Sequence, residues 1–590
     1  MEEFVEKTTI SEEQLIIERT VGDQEAVATV INFDSVITPG SNFEFKPFFI
    51  SKLTEEKNVG LPVKIIGNIR MISDAFPITI TNGRLSAAEL VISDLEGMEI
   101  RCLTSLNSKI QKLRDDFSWG KTYSFKGCLI SVSSQKTSGY YFYLKEFTDE
   151  ISPLDLENIG DDETDKILKR INEIKSDGKS IREFIKNELV HELKIKGLDK
   201  APELDSCLDY SIIQSVSHGL SANGIYSNKL HSLIIGPPAS GKKLISRAVS
   251  YLNRGKKVSS TNSKITPAGL IGRVSRRNGY VTSEPGIIPI SNGGAVCFED
   301  FHEAMRYKNE ISSILSAVME DGKVEDSTSA MKTHLSATAI HVDMNRLSQV
   351  LPESRQSKFS DLSIPVNILS RFDFIVEIPP NAERQKEIVL DMARGEKFLS
   401  TEMNLQESKS NQKEIRKIIA LLKSEFKTVK ISADVSDFIE KKLTKIFDDN
   451  EKYAFLQQHF PSMLTRLEIS IEKMAKSIAA LEMRDHVIID DIDLVFEFIH
   501  RKLNFLSKLE IMEIDNTSQK TDEKRRNMII KEFSGKEITL EDASELLQKD
   551  EYERPNERTI RRDLEYLCKE GFASKPSRGI WKIKDVNLSK

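Results

Sequence analysis

The sequence predicts a multidomain α/β protein, and three observations carry that prediction. The stretch "HSLIIGPPASGKKLIS" sets a glycine-rich loop between a short apolar run and a helical pattern. Residues 59–150 are dominated by alternating, strand-like runs. Residues 525–590 read as three helices followed by a short hairpin. At 590 residues several domains are expected, and 39% apolar side chains are enough to give each a core. No apolar run reaches the length of a membrane span, so no membrane partner is expected. The acidic start "MEEFVEKTTISEE" lacks a secretory h-region, so the chain reads as not secreted: cytoplasmic in a prokaryote, nuclear in a eukaryote. Cys102, Cys128, Cys207, Cys297 and Cys568 form no C-x-x-C pair, which argues against zinc and against a disulfide framework. A net charge of −7 leaves nucleic acid open, because binding needs only a local basic surface.

Residues 1–58 form an N-terminal extension whose one clear signal is the strand-like "EAVATVINF". Next, "PVKIIGNIRMIS", the hairpin-like "AAELVISDLEGMEIRCLTS", "TYSFKGCLISV" and "GYYFYLKEF" give five strands. The segment "LNSKIQKLRDDF" adds a helix between the third and fourth. That arrangement fits an OB-type β-barrel over 59–150. The run "GMEIRCLTSLNSKIQKLRDDFSWGKTYSFKGCLISV" resembles the single-strand-binding barrels of replication protein A. Trp119, Tyr123, Tyr140, Tyr141 and Tyr143, with Lys126, Lys136 and Lys145, are either stacking platforms for bases or ordinary barrel core. An acidic linker containing a helix is expected over 151–185, the loop-bearing core over 186–395 and a helical region over 396–512. A polar linker, 513–524, precedes the terminal unit.

The loop itself has the form G-x-x-x-x-G-K, from Gly236 through Pro237, Pro238, Ala239, Ser240 and Gly241 to Lys242. Its glycines let backbone N–H groups turn toward phosphate oxygens, its lysine reaches the outer phosphates, and the following helix offers its positive end. Downstream, "GGAVCFEDF" reads as a buried strand with Glu299 and Asp300 at its carboxyl end. Carboxylates so placed hold Mg²⁺ and activate an attacking water. A third strand, "AIHVDMNR", ends at Asn345, a group suited to orienting water or a γ-phosphate. Arg371, before the strand in "ILSRFDFIVEI", could neutralise a transferring phosphoryl group.

Together these stretches resemble the AAA+ core of the minichromosome-maintenance (MCM) helicases. The resemblance runs through "GPPASGKKLISRAVSYLNRGKKVSSTNSKITPAGLIGRV", "EPGIIPISNGGAVCFEDFHEAM", "ISSILSAVMEDGKV" and "LSRFDFIVEIP". It implies ATP as ligand and a P-loop ATPase core with a helical lid over 396–512. Lys242 would then contact phosphates, Asn345 would act as first sensor and Arg466 as second. Arg371 would serve as an arginine finger on a neighbour's nucleotide. A ring, homo- or hetero-hexameric, follows from such a finger. The resemblance also identifies "RVSRRNGYVTSEPG" with the family's helix-2 insert and "EDGKVEDSTSAMKTHL" with its pre-sensor hairpin, where Lys332 is the candidate DNA contact.

Two residues depart from the family pattern. Lys243 stands where Ser or Thr would ligate Mg²⁺, and the acidic pair runs Glu299-Asp300 instead of Asp-Glu. An ammonium has no lone pair to offer a cation. The expectation is therefore a Lys243–Glu299 ion pair at the metal position, with Asp300 left short of the attacking water. Two outcomes stay open: a slow ATPase whose Glu299 or Asp300 takes the metal, or a chain that binds ATP without hydrolysing it.

The terminal unit reads as a winged helix: "EKRRNMIIKEF", "TLEDASELLQ" with Thr539 as N-cap and Asp542 completing a capping box, "NERTIRRDLEYLCKEGF", then the wing "KPSRGIWKIK". Similar domains end archaeal MCM proteins. Arg558, Arg561 and Arg562 near the start of the third helix are candidate DNA contacts. The expected function is an MCM-like DNA helicase or translocase acting on single- and double-stranded DNA in replication or repair. The alternatives are a hydrolysis-deficient paralogue serving as a structural or regulatory subunit, and a AAA+ protein remodeller.

Overall fold

Five strands close into a barrel in the computed structural model. The chain enters through β1 (Glu13–Val21), β2 (Gln24–Phe33), the short β3 (Lys46–Pro47) and α1 (Ile50–Leu53). The barrel strands are β4 (Pro62–Ser73), β6 (Gly83–Asp94), β7 (Glu99–Ser105), β8 (Tyr123–Ser133) and β9 (Ser138–Thr148); β5 (Phe76–Ile80) falls between the first two, and α2 (Ser108–Asp115) between β7 and β8. Strand β4 pairs with both β6 and β8, β6 with β7, β7 in parallel with β9, and β9 with β8. A bulge between Ile69 and Met71 bends β4 so that it can serve both neighbours. Close backbone approach at the bends requires glycine: a Cβ on Gly127 would lie 1.9 Å from the Tyr143 carbonyl oxygen. Leu90, Ile92, Phe125, Leu129 and Phe142 fill the interior, together with Ile50 and Leu53 of α1. Thus part of the N-terminal extension belongs to the barrel core. Strands β1, β2 and β5 make a second path from β6 to β8.

The structure describes residues 13–33, 45–217, 227–301, 308–345, 364–393, 402–448, 456–508, 517–548 and 557–584, less short gaps at 22–23, 55–57, 74–75, 81–82, 95–96, 106–107, 116–120, 134–137, 150, 158, 196, 254, 260–264, 278–279, 327–331, 458–459, 570–571 and 578. Trp119 and Lys136 lie outside them. Two compact units divide the chain, Met1–Leu509 and Glu510–Lys590.

The stretch expected as an acidic linker is helical and packed. It forms α3 (Pro153–Leu156), α4 (Asp161–Ser176) and the start of α5 (Ile181–Glu192), with reciprocal caps Ser152–Asp155 and Ser180–Glu183. Ile171 and Ile181 are fully buried, and Lys64 of the barrel meets Asp155 at 2.5 Å. Its acidic residues cover the outer face of an apolar stripe, which is why composition alone reads as linker.

After α6 (Pro202–Val216) come β10 (Ser232–Ile235), α7 (Lys242–Leu252), β11 (Lys256–Ser259) and α8 (Pro267–Ile271). A hairpin follows, β12 (Gly272–Arg277) and β13 (Tyr280–Pro285), then α9 (Ile287–Ile290), β14 (Ala295–Glu299) and α10 (Lys308–Asp321). A second hairpin, β15 (Lys323–Asp326) and β16 (Lys332–Leu335), leads to β17 (Ala339–Met344), α11 (Val366–Leu369), β18 (Phe374–Glu377) and α12 (Ala382–Ala393). Strands β11, β14, β17, β10 and β18 form, in that order, a wholly parallel sheet. Their side chains are buried almost without alternation, as a sheet covered on both faces requires.

Helices α13 (Glu402–Glu425), α14 (Ala433–Asp448), α15 (Pro461–Leu464), α16 (Leu467–Leu481) and α17 (Ile489–Ser507) follow. A ring cluster ties them to the sheet: Tyr210 stacks on Phe374 at 4.6 Å, and Phe498 meets both edge-on. The second unit contains α18 (Thr517–Phe533), β19 (Glu537–Thr539), α19 (Leu540–Gln548), α20 (Glu557–Lys569), β20 (Ala573–Ser577) and β21 (Ile580–Ile583). Ile529, Ile538, Leu547, Ile560, Leu564 and Trp581 are its core, so Trp581 packs inward. Asp542 and Thr539 cap α19 reciprocally.

Candidate functional site

The glycine-rich loop joins the carboxyl end of β10 to α7. Ala239 and Gly241 take left-handed φ values of 63° and 100°, which turns the loop back over the helix start. A Cβ on Gly236 would sit 2.7 Å from the Ile378 carbonyl oxygen, so that position is sterically reserved for glycine. Lys242 is buried and its Nζ donates to the carbonyls of Gly236 and Pro237, each at 2.7 Å. Burial lowers its pKa, with Asp343 and Asp300 opposing the shift. The lysine therefore rests on the loop's own oxygens and has to swing outward to meet a phosphate. Buried Arg384 of α12 braces the loop, donating from Nη1 to the Ser240 carbonyl at 3.0 Å. Pro238 and Ala239 are exposed at the tip.

Glu299 ends β14 and Asp300 follows with φ 54°, an unusual value for a non-glycine residue. Asp343 of β17 accounts for it: its Oδ1 accepts the Asp300 backbone N–H at 3.1 Å. Asp343 is fully buried and accepts the Ser246 hydroxyl through Oδ2 at 2.7 Å. Ser246 continues to His341 Nε2 at 3.1 Å, and His341 Nδ1 to the Ser232 hydroxyl at 2.9 Å. Burial raises the Asp343 carboxyl above its usual range, against the Ser246 and Asp300 hydrogen bonds. Burial also drives His341 down to about 3, so its imidazole is neutral.

The expected Lys243–Glu299 pair is corrected by this turn. Lys243 Nζ lies 3.5 Å from Asp300 Oδ2, not from Glu299. The left-handed backbone at Asp300 carries its carboxylate into the site, whereas Glu299 lies near Lys257 of the neighbouring β11, whose ammonium it favours. With the Lys243 side chain 62% exposed, the pair adds on the order of 0–1 kcal/mol to stability. What it changes is the charge at the position. Asn345 Nδ2 donates to Asp300 Oδ1 at 3.4 Å, so base candidate and sensor candidate do meet. For a divalent cation the donor set fits poorly. Lys243 offers no lone pair, Asp300 is engaged by Lys243 and Asn345, and no three-residue acidic, His or Cys cluster exists among the described residues.

Arg371 and Arg466 lie elsewhere. Arg371 precedes β18, which runs parallel to β10 with Phe374 level with Ser232. The loop follows the other end of β10, on the order of 15 Å or more along the strands at about 3.3 Å per residue. Arg371 and Arg466, the latter at the start of α16, meet on one carboxylate. Arg466 Nη2 donates to Glu320 Oε1 at 2.8 Å and Arg371 Nη2 to Glu320 Oε2. Arg371 Nη1 also donates to the Asn367 carbonyl.

Residues 168–392 match the MCM P-loop domain. This stretch of the chain is an MCM-type P-loop domain. No curated protein matches the sequence. The β12–β13 hairpin docks on the barrel. Tyr280, Val281 and Thr282 pair antiparallel with Ser73, Ile72 and Met71 of β4. Lys332 opens β16 across from Asp326. Among the barrel aromatics, Tyr123 is core, while Tyr140, Tyr141 and Tyr143 are partly exposed. Lys126 is half-buried beside Glu146 at 3.1 Å. In the second unit Arg558, Arg561 and Arg562 are exposed on α20, whose buried Asp563 is held by Arg525 and Arg526, each at 3.0 Å. No described helix is long and apolar enough to cross a membrane.

Sequence reasoning missed Asp343, Ser246, Arg384 and Glu320. Asp343 left a signal: a carboxylate inside the apolar strand "AIHVDM" needs a partner. The other three left none, because their roles depend on long-range neighbours.

Proposed function

We propose that this chain is an ATP-binding subunit of an MCM-type ring acting on DNA in replication or repair, with its own metal position taken by a lysine. The observation that carries the reading is the Lys243–Asp300 contact of 3.5 Å beside an otherwise complete phosphate loop. Loop N–H groups, the start of α7 and Lys242 grip the phosphates. Lys243 supplies a fixed positive charge where relatives place a hydroxyl. The distance of Arg371 and Arg466 from the loop supports their acting on a neighbouring protomer's nucleotide, in a homo- or hetero-oligomer. The helices after residue 396 then serve as the lid, the barrel as an OB-type single-strand binder, and the second unit as a winged helix contacting DNA through Arg558, Arg561 and Arg562. Lys332, at the start of β16, adds a DNA contact from the hairpin that begins at β15.

A second reading, a working helicase motor, is favoured by the Asn345–Asp300 contact, which gives a base and a water-orienting group side by side. ATP binding and turnover, measured in Mg²⁺ and in EDTA for the parent and Lys243→Ser, separate the two. The first expects tight binding in EDTA, negligible turnover, and turnover in Mg²⁺ restored by the substitution. A general base contributes about 10²–10⁴-fold, so the restored rate is easily read. Strong Mg²⁺-dependent turnover in the parent selects the motor, and no nucleotide binding at all rejects both.

A further inference from the structure

Glu320 is the penultimate residue of α10, and only Asp321 and Gly322 separate it from the β15–β16 hairpin. Its two carboxylate oxygens are divided between two arginines from distant parts of the chain, Arg371 before β18 and Arg466 at the start of α16. Arg371 still has a buried Nε without a hydrogen-bond partner. Burial alone would raise the Glu320 carboxyl, but the two arginine hydrogen bonds outweigh it and hold it below the usual range. The carboxylate is thus fully ionised at neutral pH, and it is only part-buried, with a side chain 37% exposed. Its main chain is anchored separately: the Glu320 carbonyl accepts Ser227 N–H at 2.8 Å, and the hairpin closes through Ser336 N–H to the Gly322 carbonyl at 2.8 Å.

A guanidinium pair that shares one carboxylate is geometrically suited to a phosphoryl group, which offers more acceptor oxygens and more charge. We infer that Glu320 is an internal stand-in for phosphate: it holds Arg371 and Arg466 side by side, and a phosphoryl group displaces it. The exchange leaves the Glu320 side chain without its two ties. Because Glu320 lies in the last turn of α10, the release loosens the root of the β15–β16 hairpin. Occupancy of the arginine pair is thereby transmitted to that hairpin. Glu320 is a positioning residue in this scheme, acting through the arginines. The inference rests on the reading that these arginines meet the phosphates of a neighbouring protomer's nucleotide.

The test uses the full chain carrying Lys242→Ala, which disables the loop's own phosphate grip, titrated calorimetrically with inorganic pyrophosphate. Adding Glu320→Gln to that background is expected to tighten pyrophosphate binding by about tenfold or more, the equivalent of one displaced charge-assisted contact. Adding Arg371→Ala as well removes the gain, and Glu320→Asp in place of Glu320→Gln returns the chain toward the parent. Equal pyrophosphate affinity with and without Glu320→Gln overturns the inference. A second readout needs no Glu320 variant. Saturating pyrophosphate should speed amide exchange at 323–326 and 332–335 in the Lys242→Ala chain, and an unchanged rate there also overturns it. Loss of ATP binding in the parent would defeat the loop reading alone, since the pyrophosphate titration never uses the loop.

Discussion

At the carboxyl ends of β10, β14 and β17 two lysines face two aspartates; before the amino end of β18 two arginines face one glutamate. Both ends of the sheet set internal carboxylates against cations. They differ in burial. Lys242 and Asp343 are buried, and the Ser232–His341–Ser246–Asp343 chain behind them is closed to solvent. Glu320 and its arginines are part-exposed. A buried, fully bonded network fixes backbone geometry and exchanges slowly, whereas a part-exposed carboxylate can be traded for another anion. The loop end therefore sets a permanent charge pattern, and the arginine end holds an exchangeable one.

The largest expected effect tests that burial through pH. His341 is held to about 3 and His231 to about 4, in both cases first by burial. With folded values below the ordinary 6.5, each contributes stability that is present above 6.5 and lost as pH falls toward its folded value. The loss amounts to about 1.4 kcal/mol per pH unit for each imidazole. Urea unfolding of the first unit followed between pH 6 and 5, below the ordinary 6.5, should fall at about twice that slope, and His341→Gln should halve it. A flat profile would mean that the network is open to water.

Next in size is Lys242→Ala. Loss of a charge-assisted contact of about 1.5–3 kcal/mol should weaken ATP binding by roughly 10–100-fold in calorimetry. Arg371→Ala, far along the strands, should change single-chain affinity by less than about twofold. Comparable losses from both would place the two ends on one nucleotide.

Asp343→Asn comes third. It should cost about 1–3 kcal/mol through one mismatched buried hydrogen bond. Burial raises the Asp343 carboxyl, so its protonated form contributes stability that is present below the ordinary 3.8 and lost as pH rises through the folded value; the Asn variant has no such dependence. The difference between the two should therefore narrow from pH 4 to pH 7 in thermal melts. The smallest effect lies in the other unit. Arg558→Ala or Arg561→Ala should each reduce the salt slope of DNA binding by about one, with little change in stability.

Much of the core was legible because its signals are local. A strand, a glycine-rich loop and a helix contiguous in sequence must be contiguous in space, and the family match covers that stretch. The five barrel strands were legible from alternation, and the closure through parallel β7–β9 follows from their number and curvature. A helix at 151–185 was legible, but its packing was not, because an acidic outer face dominates the composition. Nothing in "RVSRRNGYVTSEPG" announces the β12–β13 hairpin or its pairing with β4, more than two hundred residues away.

The sequence by itself determined the phosphate loop, the lysine in place of a hydroxyl and the reversed acidic pair, since each is a matter of which side chain follows which. Only the tertiary structure decided which acid meets Lys243. Neighbouring residues on a strand point to opposite faces, and a left-handed turn held by Asp343 from another strand brings Asp300 into the site instead of Glu299. The meeting of Arg371 and Arg466 on Glu320 was likewise a tertiary outcome, because side chains 51 and 146 positions from Glu320 converge only when α10, β18 and α16 pack.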